Sequence, residues 1–400
     1  LARGVRLGLA AVFLGVFFAG LGAGLSRLAL ARLLRYGLGE SVLVTSSLTS
    51  WFMAARVVSA LLGGVGSDLR PGLYRVLMSL PMAGIAVIVY AIAGLRDAAA
   101  VLLLNAVWGF LSGLVWPITQ TATSLAAGPR AGTAMGVYFA SAYLGMTLGQ
   151  GLYGVLPVGD AAAVRLSSAF FAAASASLAA AATLLPQGLL RRPRRGARGL
   201  ASALRSALQG PAAWLLLAAF AVGYSSGMLR EFLYVYLGEA YGLSRRSLSA
   251  VLASAGLAAL PLTVLVGRAA ETRGAGPVLY AVLAVGAAGL TVLALPAGPA
   301  AAFTGVMLSN IAVRTSLPLT RNAAFLGTAA AATLVAASNV VNNLGQITGP
   351  LVAGALYDAL HKARLLGLLP GAGTPFLTAA ALYLLVLALY PAMARRRPSP

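Results

Sequence analysis

Arg56, Arg230, Glu231 and Arg314 stand inside long apolar stretches, where an ionisable side chain is costly and normally faces a protein-lined cavity or a partner. Arginine offers a planar fork of donors that fits a carboxylate or phosphate two bonds at a time, so these positions point to an anionic solute. Glu231 is the only acid that falls within an apolar span and away from the loops, and it is a candidate carrier of a coupling proton. Its other reading is a structural ion pair, because a cation such as Arg230 holds a carboxylate ionised. Asn310 shares the stretch of Arg314. Asn339, Asn342, Asn343 and Gln346 repeat at spacings of three and four, which places them on one helical face. Their amides can serve a solute or hydrogen-bond to a neighbouring helix. Asn105, Gln120 and Tyr224 are weaker polar candidates. For Arg27 and Arg230, near span ends, two readings stand: facing a cavity, or snorkelling to the membrane interface.

These side chains need apolar elements to carry them. Of 400 residues, 60% are hydrophobic and 9% charged, whereas a soluble surface needs roughly 25% charged residues. Apolar runs of about 20 residues recur, each long enough to cross the roughly 30 Å hydrocarbon core. Backbone groups in that core must be satisfied internally, so the runs are helices or closed barrels, and long unalternating Ala, Leu and Gly exclude the barrel. Twelve spans are expected, at about 7–30, 42–64, 73–94, 99–124, 131–156, 163–186, 212–237, 247–268, 276–296, 299–323, 328–357 and 372–393. Arg3 and Arg6 followed by an apolar stretch mimic a signal peptide, but the stretch runs on to about Leu30, so it reads as a span.

The net charge of +21 comes almost wholly from arginine, with Lys362 the single lysine. Its scatter over the connections fits the positive-inside rule rather than nucleic-acid binding. With the N-terminus inside, about 16 basic residues fall in the cytoplasm and about ten outside, so both termini are expected to be cytoplasmic. There is no cysteine and one histidine, His361, which argues against disulfides, metal, cofactor or catalysis.

The chain repeats itself. Gly20-xxx-Gly24-xx-Arg27 recurs as Gly223-xxx-Gly227-xx-Arg230, and Gly64-xxx-Asp68 as Gly267-xxx-Glu271, both offset by 203. Pro117-Ile118-Thr119-Gln120 recurs as Pro318-Leu319-Thr320-Arg321 at 201, and Gly145-xxx-Gly149-xxxx-Gly154 as Gly345-xxx-Gly349-xxxx-Gly354 at 200. Four matches in order at a near-constant offset indicate two duplicated halves. The expected architecture is all-α, with a six-helix bundle over 1–186, a basic cytoplasmic linker over 187–210 and a second bundle over 211–400.

The stretch Gly63 to Arg75, with Gly64, Asp68 and Arg70, resembles the loop signature of the major facilitator superfamily, although Arg70 and Gly72 sit one residue late. Gly267, Glu271 and Arg273 form the second copy, with Glu in place of Asp. The resemblance covers essentially the whole chain and implies that these six residues act as a conformational latch. A carboxylate near a helix N-terminus with arginine neighbours gains dipole and ion-pair stabilisation. Gly145 to Gly154 is similar to the glycine-rich motif of antiporters in that superfamily, with Gln150 where the motif has Pro; the second half has it, as Gly349-Pro350. Close helix packing through small residues is the other reading of Gly145, Gly149, Gly345, Gly349 and Pro350.

The function expected from these features is secondary active transport of a small solute by alternating access, with protons as the coupling ion and a lean to an anion or organic acid. A multidrug-type efflux antiporter is the alternative, and a non-transporting membrane receptor or scaffold is the alternative of another class. The expected setting is the cytoplasmic membrane, as a monomer, with the lipid bilayer and the solute as partners and no nucleic acid. The mismatches between halves, Arg56 against Ala259, Arg314 against Gly113 and the amide stripe, mark the proposed solute site.

Overall fold

A computed structural model describes residues 3–69, 73–186, 212–327, 331–365 and 369–394, and these are almost entirely helical. The helices are α1 (Arg3–Arg32), α2 (Val42–Leu69), α3 (Tyr74–Ile92), α4 (Ala98–Ala127), α5 (Ala131–Val155) and α6 (Asp160–Leu184). They continue with α7 (Ala212–Met228), α8 (Glu231–Glu239), α9 (Arg245–Arg273), α10 (Ala275–Ala294), α11 (Pro299–Gly327), α12 (Ala331–Leu360) and α13 (Thr374–Ala394). A π-helical turn over Leu33–Gly37 closes α1. A two-residue antiparallel pairing of Arg364 with Pro370 and Leu365 with Leu369 lies between α12 and α13.

Ends are marked as the residue types dictate. Asp97 caps α4 by accepting from the Ala100 amide at 2.8 Å, and Ser244 caps α9 by accepting from the Ser247 amide at 3.2 Å. Gly274, at φ 86°, ends α9 in a conformation that a side chain would resist. Eight helices among the described residues are long and apolar enough to cross a membrane, or nine if α7 and α8 form one bent span. Leu80, Val87, Leu103, Val155 and Leu384 point outward and are more than half exposed, a lipid-facing pattern that a water-soluble surface would not carry.

Two departures from the sequence expectation matter. The apolar run at about 212–237 is not one straight helix but α7 and α8, bent by 54° at Leu229–Arg230. The signature glycine Gly64 and acid Asp68 are not in a loop: α2 continues through both, and α9 likewise continues through Gly267, Glu271 and Arg273. In both places the apolar window ends before the helix does, because helical hydrogen bonding needs no hydrophobic residue. The basic stretch 187–210 lies outside the described residues.

The chain divides into two compact units, one of Leu1–Glu40 with Trp51–Arg195, the other of Ser41–Ser50 with Gly196–Pro400. In the first, α1 packs on α5 and α6, and α3 packs on α4 and α6. The α1–α5 crossing is made by glycines. A Cβ on Gly20 or Gly24 would overlap the backbone carbonyls of Ala142 or Met146, and one on Gly145 or Gly149 those of Phe17 or Leu21. Tyr153 at the end of α5 donates to Asp160 at the start of α6, whose Oδ2 lies 3.9 Å from Arg32 Nε.

In the second unit, α7 packs on α12 in the same manner. A Cβ on Gly223 or Gly227 would overlap the carbonyls of Asn342 or Gln346, and one on Gly345 or Gly349 those of Phe220 or Tyr224. Trp214 Nε1 donates to the Val386 carbonyl at 2.7 Å, and Ser225 Oγ lies 2.6 Å from Tyr383 Oη, tying α7 to α13. Small residues at such crossings let backbones meet where lipid supplies no hydrophobic driving force. Gly24→Ala is therefore expected to destabilise the chain by about 1–3 kcal/mol, the usual cost of overpacking. Gly132→Ala, with nothing within 4 Å of the added carbon, should be neutral or stabilising by up to about 1 kcal/mol. Melting of the purified protein in detergent separates the two; equal Tm values would refute the packing account.

Candidate functional site

The break between α7 and α8 sets out the polar chemistry of the second unit. Arg230 occupies the break, at φ −112° and ψ −119°, outside the helical region, and Glu231 opens α8. Arg230 Nη2 donates to Gln346 Oε1 at 3.1 Å, Gln346 Nε2 donates to Asn342 Oδ1 at 2.8 Å, and Asn342 Nδ2 donates to the Ala219 carbonyl at 3.0 Å. The chain of donors thus runs from a cation at the break, along the amide face of α12, back to α7. Glu231 is 1% exposed and accepts from Thr49 Oγ1.

This arrangement exists because of the crossing beside it. Asn342 and Gln346 lie where Gly223 and Gly227 bring the backbones together, so their side chains emerge at the seam. Pro350 has no N–H, so the Gln346 carbonyl lacks its usual partner four residues on, at the spot where Gly227 packs. Asn342 is buried and serves as an interhelical bond, whereas Asn339 and Asn343 on the same face are half-buried. Tyr224 Oη lies 3.3 Å from Thr378 Oγ1.

Arg314 is 8% exposed and donates through Nη1 to the Gly256 carbonyl at 3.1 Å, bridging α11 to α9. Gly113 is its repeat counterpart, and there a Cβ would overlap the Arg56 carbonyl and Ser59 Oγ, so α2 and α4 touch directly. The same crossing is closed by a glycine in one unit and strutted by an arginine in the other. Asn310, on α11, is half-buried.

In the first unit Arg27 does not snorkel. It is 7% exposed, with its guanidinium carbon 4.1 Å from the Phe52 ring centroid and 4.9 Å from that of Trp108. Cation–π contact in a desolvated setting is worth about 2 kcal/mol or more. Arg56 is half-buried and within electrostatic reach of Tyr138, whose hydroxyl lies 2.8 Å from Thr119 Oγ1. Asn105 is fully buried. Gln120 lines an open groove with Thr121, Ser124, Leu125 and Met135.

Of the expected latch residues, Arg70 and the side chain of Asp68 lie outside the described residues. Glu271 and Arg273 are exposed in the last turn of α9. No group of three or more His, Asp or Glu able to hold a metal occurs among the described residues. Thr49 donates to Glu231, Ser46 to the Pro350 carbonyl and Ser50 to the Ile347 carbonyl, and Asp358 accepts from the Val42 and Leu43 amides; none of the four was singled out in the sequence. The only signal was the hydroxyl-rich run Thr45-Ser46-Ser47-Leu48-Thr49-Ser50 inside an otherwise apolar span.

A helical chain with lipid-facing apolar surface, and polar side chains gathered at glycine crossings and a broken helix, is a multi-pass membrane protein of the transporter type. Residues 12–341 match the model of the Major Facilitator Superfamily, and the chain belongs to that superfamily. It is accordingly a transporter of small-molecule solutes and not an enzyme. Among solved structures it is similar to a single-site mutant of the nucleoside transporter NupG, at TM-score 0.80 and 13% identity, covering 97% of this chain and 99% of that one. It is also similar to the human organic anion transporter MFSD10 (TETRAN), at 0.70 and 20%, covering 96% and 99%. A third is a bacterial homolog of the human lysosomal transporter Spinster, at 0.73 and 15%, covering 100% of both chains. At these identities the likeness is one of fold. No curated protein matches the sequence.

If Arg230 and Gln346 act as a unit, Arg230→Met and Gln346→Leu should not be additive. Interhelical polar bonds in membranes average about 0.6 kcal/mol, and a charged donor raises this to about 1.5 kcal/mol or more. A double-mutant cycle on detergent melting should return a coupling of about 1 kcal/mol or more, and additive losses would dissolve the network.

Proposed function

We propose that the chain is a proton-coupled secondary transporter of a small anionic solute, working by alternating access between two duplicated six-helix halves, 1–186 and 211–400, joined by a basic linker over 187–210. In this reading twelve helices span the cytoplasmic membrane, both termini are cytoplasmic, and the protein acts as a monomer. The observation that carries it is the Arg230–Gln346–Asn342 chain at a broken helix, next to the buried carboxylate of Glu231. Discontinuous helices at solute sites supply backbone groups that no straight helix has free.

Arg230 and Gln346 contact the solute directly in this proposal, with Asn339, Asn343 and Asn310 as half-buried amides along the same path. Arg56 and Arg314 supply further positive potential, and Asn342 orients Gln346. Glu231 carries the proton. The two latch triads, Gly64, Asp68 and Arg70 with Gly267, Glu271 and Arg273, stabilise one state of the cycle. The solutes named for the similar structures, a nucleoside and an organic anion, differ from each other, so the lean to an anion rests on the arginines. Efflux of hydrophobic cations is the second reading. It needs a carboxylate open to the solute, whereas Glu231 is buried, hydrogen-bonded and adjacent to Arg230.

Uptake of a labelled panel of organic acids, phosphate-bearing molecules, nucleosides and lipophilic cations into proteoliposomes, with and without a pH gradient, tests the proposal. Accumulation of an anion that requires the gradient is expected. Glu231→Gln should abolish gradient-driven accumulation yet retain exchange, and Arg230→Ala should raise KM by about tenfold or more, the effect of losing one charged bond. Uptake of cations alone, or a Glu231→Gln protein that still accumulates solute, would overturn it.

A further inference from the structure

Tyr138, on α5, is a buried hub of the first unit. Its hydroxyl lies 2.8 Å from Thr119 Oγ1 and hydrogen-bonds with Gln120, and Arg56 is within electrostatic reach of it. The Trp116 ring meets that of Tyr138 edge-on, with centroids 6.1 Å apart and the planes at 88°. Helices α2, α4 and α5 therefore bring Arg56, Trp116, Gln120 and Tyr138 to one place. Packing dictates this convergence. Gly113 lets α4 touch the backbone of α2 at Arg56, and Trp116 and Gln120 follow Gly113 at spacings of three and four, on the same side of α4.

Arg56, Trp116 and Gln120 are each half-buried, whereas Tyr138 and Thr119 behind them are buried, so a cation, an indole and an amide form the rim of one patch. From Gln120 the surface opens into the groove of Thr121, Ser124, Leu125 and Met135. Trp116 is not an interface anchor. It lies inside α4, and its Nε1 donates at 2.7 Å to Ser112 Oγ, one turn back on the same helix. A tryptophan at the membrane interface gives that N–H to a wet partner. With the N–H spent and the ring angle set by Tyr138, what Trp116 has left to offer is a π-face. A guanidinium beside a π-face suits a carboxylate carried on an aromatic ring, because the planar fork pairs with the carboxylate while ring stacks on ring. We propose that Arg56 and Trp116 form a binding site for a small aromatic carboxylate, with Arg56 taking the carboxylate and Trp116 the ring. That such an acid is also the transported solute rests on the transport reading; the site itself does not.

Benzoate and cyclohexanecarboxylate, alike in charge and different in aromaticity, test this when titrated calorimetrically into the full-length protein in detergent. Benzoate should bind about three- to tenfold more tightly, the worth of an aromatic pair beyond the area it buries. Trp116→Leu should bring the two acids to equal affinity, and Trp116→Phe should keep the preference. Trp51→Leu, a change at an exposed tryptophan of α2, should leave it untouched. Arg56→Gln should weaken both acids by about tenfold or more without changing their ratio. Equal binding of the two acids by the unaltered protein, or binding of neither, overturns the proposal. So does a benzoate preference that survives Trp116→Leu, or one lost equally in Trp51→Leu. Ser112→Ala removes one oxygen and frees the indole to turn, so it should lower the preference. It decides the matter where Trp116→Leu does not fold, and an unchanged ratio there overturns the site. Benzoate that binds as described while no compound moves into proteoliposomes defeats the transport reading and leaves the site. Gradient-driven accumulation of aliphatic anions with no preference for benzoate defeats the site and leaves the transport reading.

Discussion

Backbone-to-backbone contact at two glycine crossings is the constraint on which the rest of the molecule depends. In water, helices associate because apolar faces leave solvent; in lipid that force is absent, and close van der Waals contact with hydrogen bonding must replace it. Gly20, Gly24, Gly145 and Gly149 make the crossing of α1 with α5, and Gly223, Gly227, Gly345 and Gly349 make that of α7 with α12. Each helix presents both its glycines and its carbonyls to the other, so neither can rotate about its axis without collision. Side chains flanking each seam thereby acquire fixed directions before any polar bond forms.

The polar groups of the second unit use those directions. Asn342 and Gln346 emerge from the seam itself and meet Arg230 where α7 ends. The individual bonds are modest, so they do not hold the helices together; the glycine contact does that, and the amides and arginine add orientation. The α9–α11 crossing shows the converse. There Arg314 spans a gap that Gly113 closes by direct contact in the other unit, so packing geometry accounts for an arginine within an apolar helix.

The helical class, the duplicated motifs and the glycine seams were legible because each leaves a periodic or offset trace in the residue order. So was the amide face of α12, since spacings of three and four declare a common side. What was not legible had a physical reason. The break at Arg230 has no proline or apolar gap to announce it, because Glu231 and Phe232 restart a helix that hydropathy reads as unbroken. For Arg27 the readings of cavity and snorkel both stood, because Phe52 and Trp108, whose rings its guanidinium meets, lie 25 and more residues away. Asp358 sat at a span end, where an acid is unremarkable until the amides of Val42 and Leu43 are seen against it.

A seam made of backbone alone asks nothing of the chemistry of the residues bordering it. Ala142 and Met146 line it in one half, and Asn342 and Gln346 line it in the other, with carbonyls in matching positions. Such a scaffold lets one seam be flanked by polar side chains and the other by apolar ones without either crossing losing its shape. The molecule thus separates what must be inherited unchanged from what is free to diversify, and new specificities can be written into the flanks without rebuilding the frame.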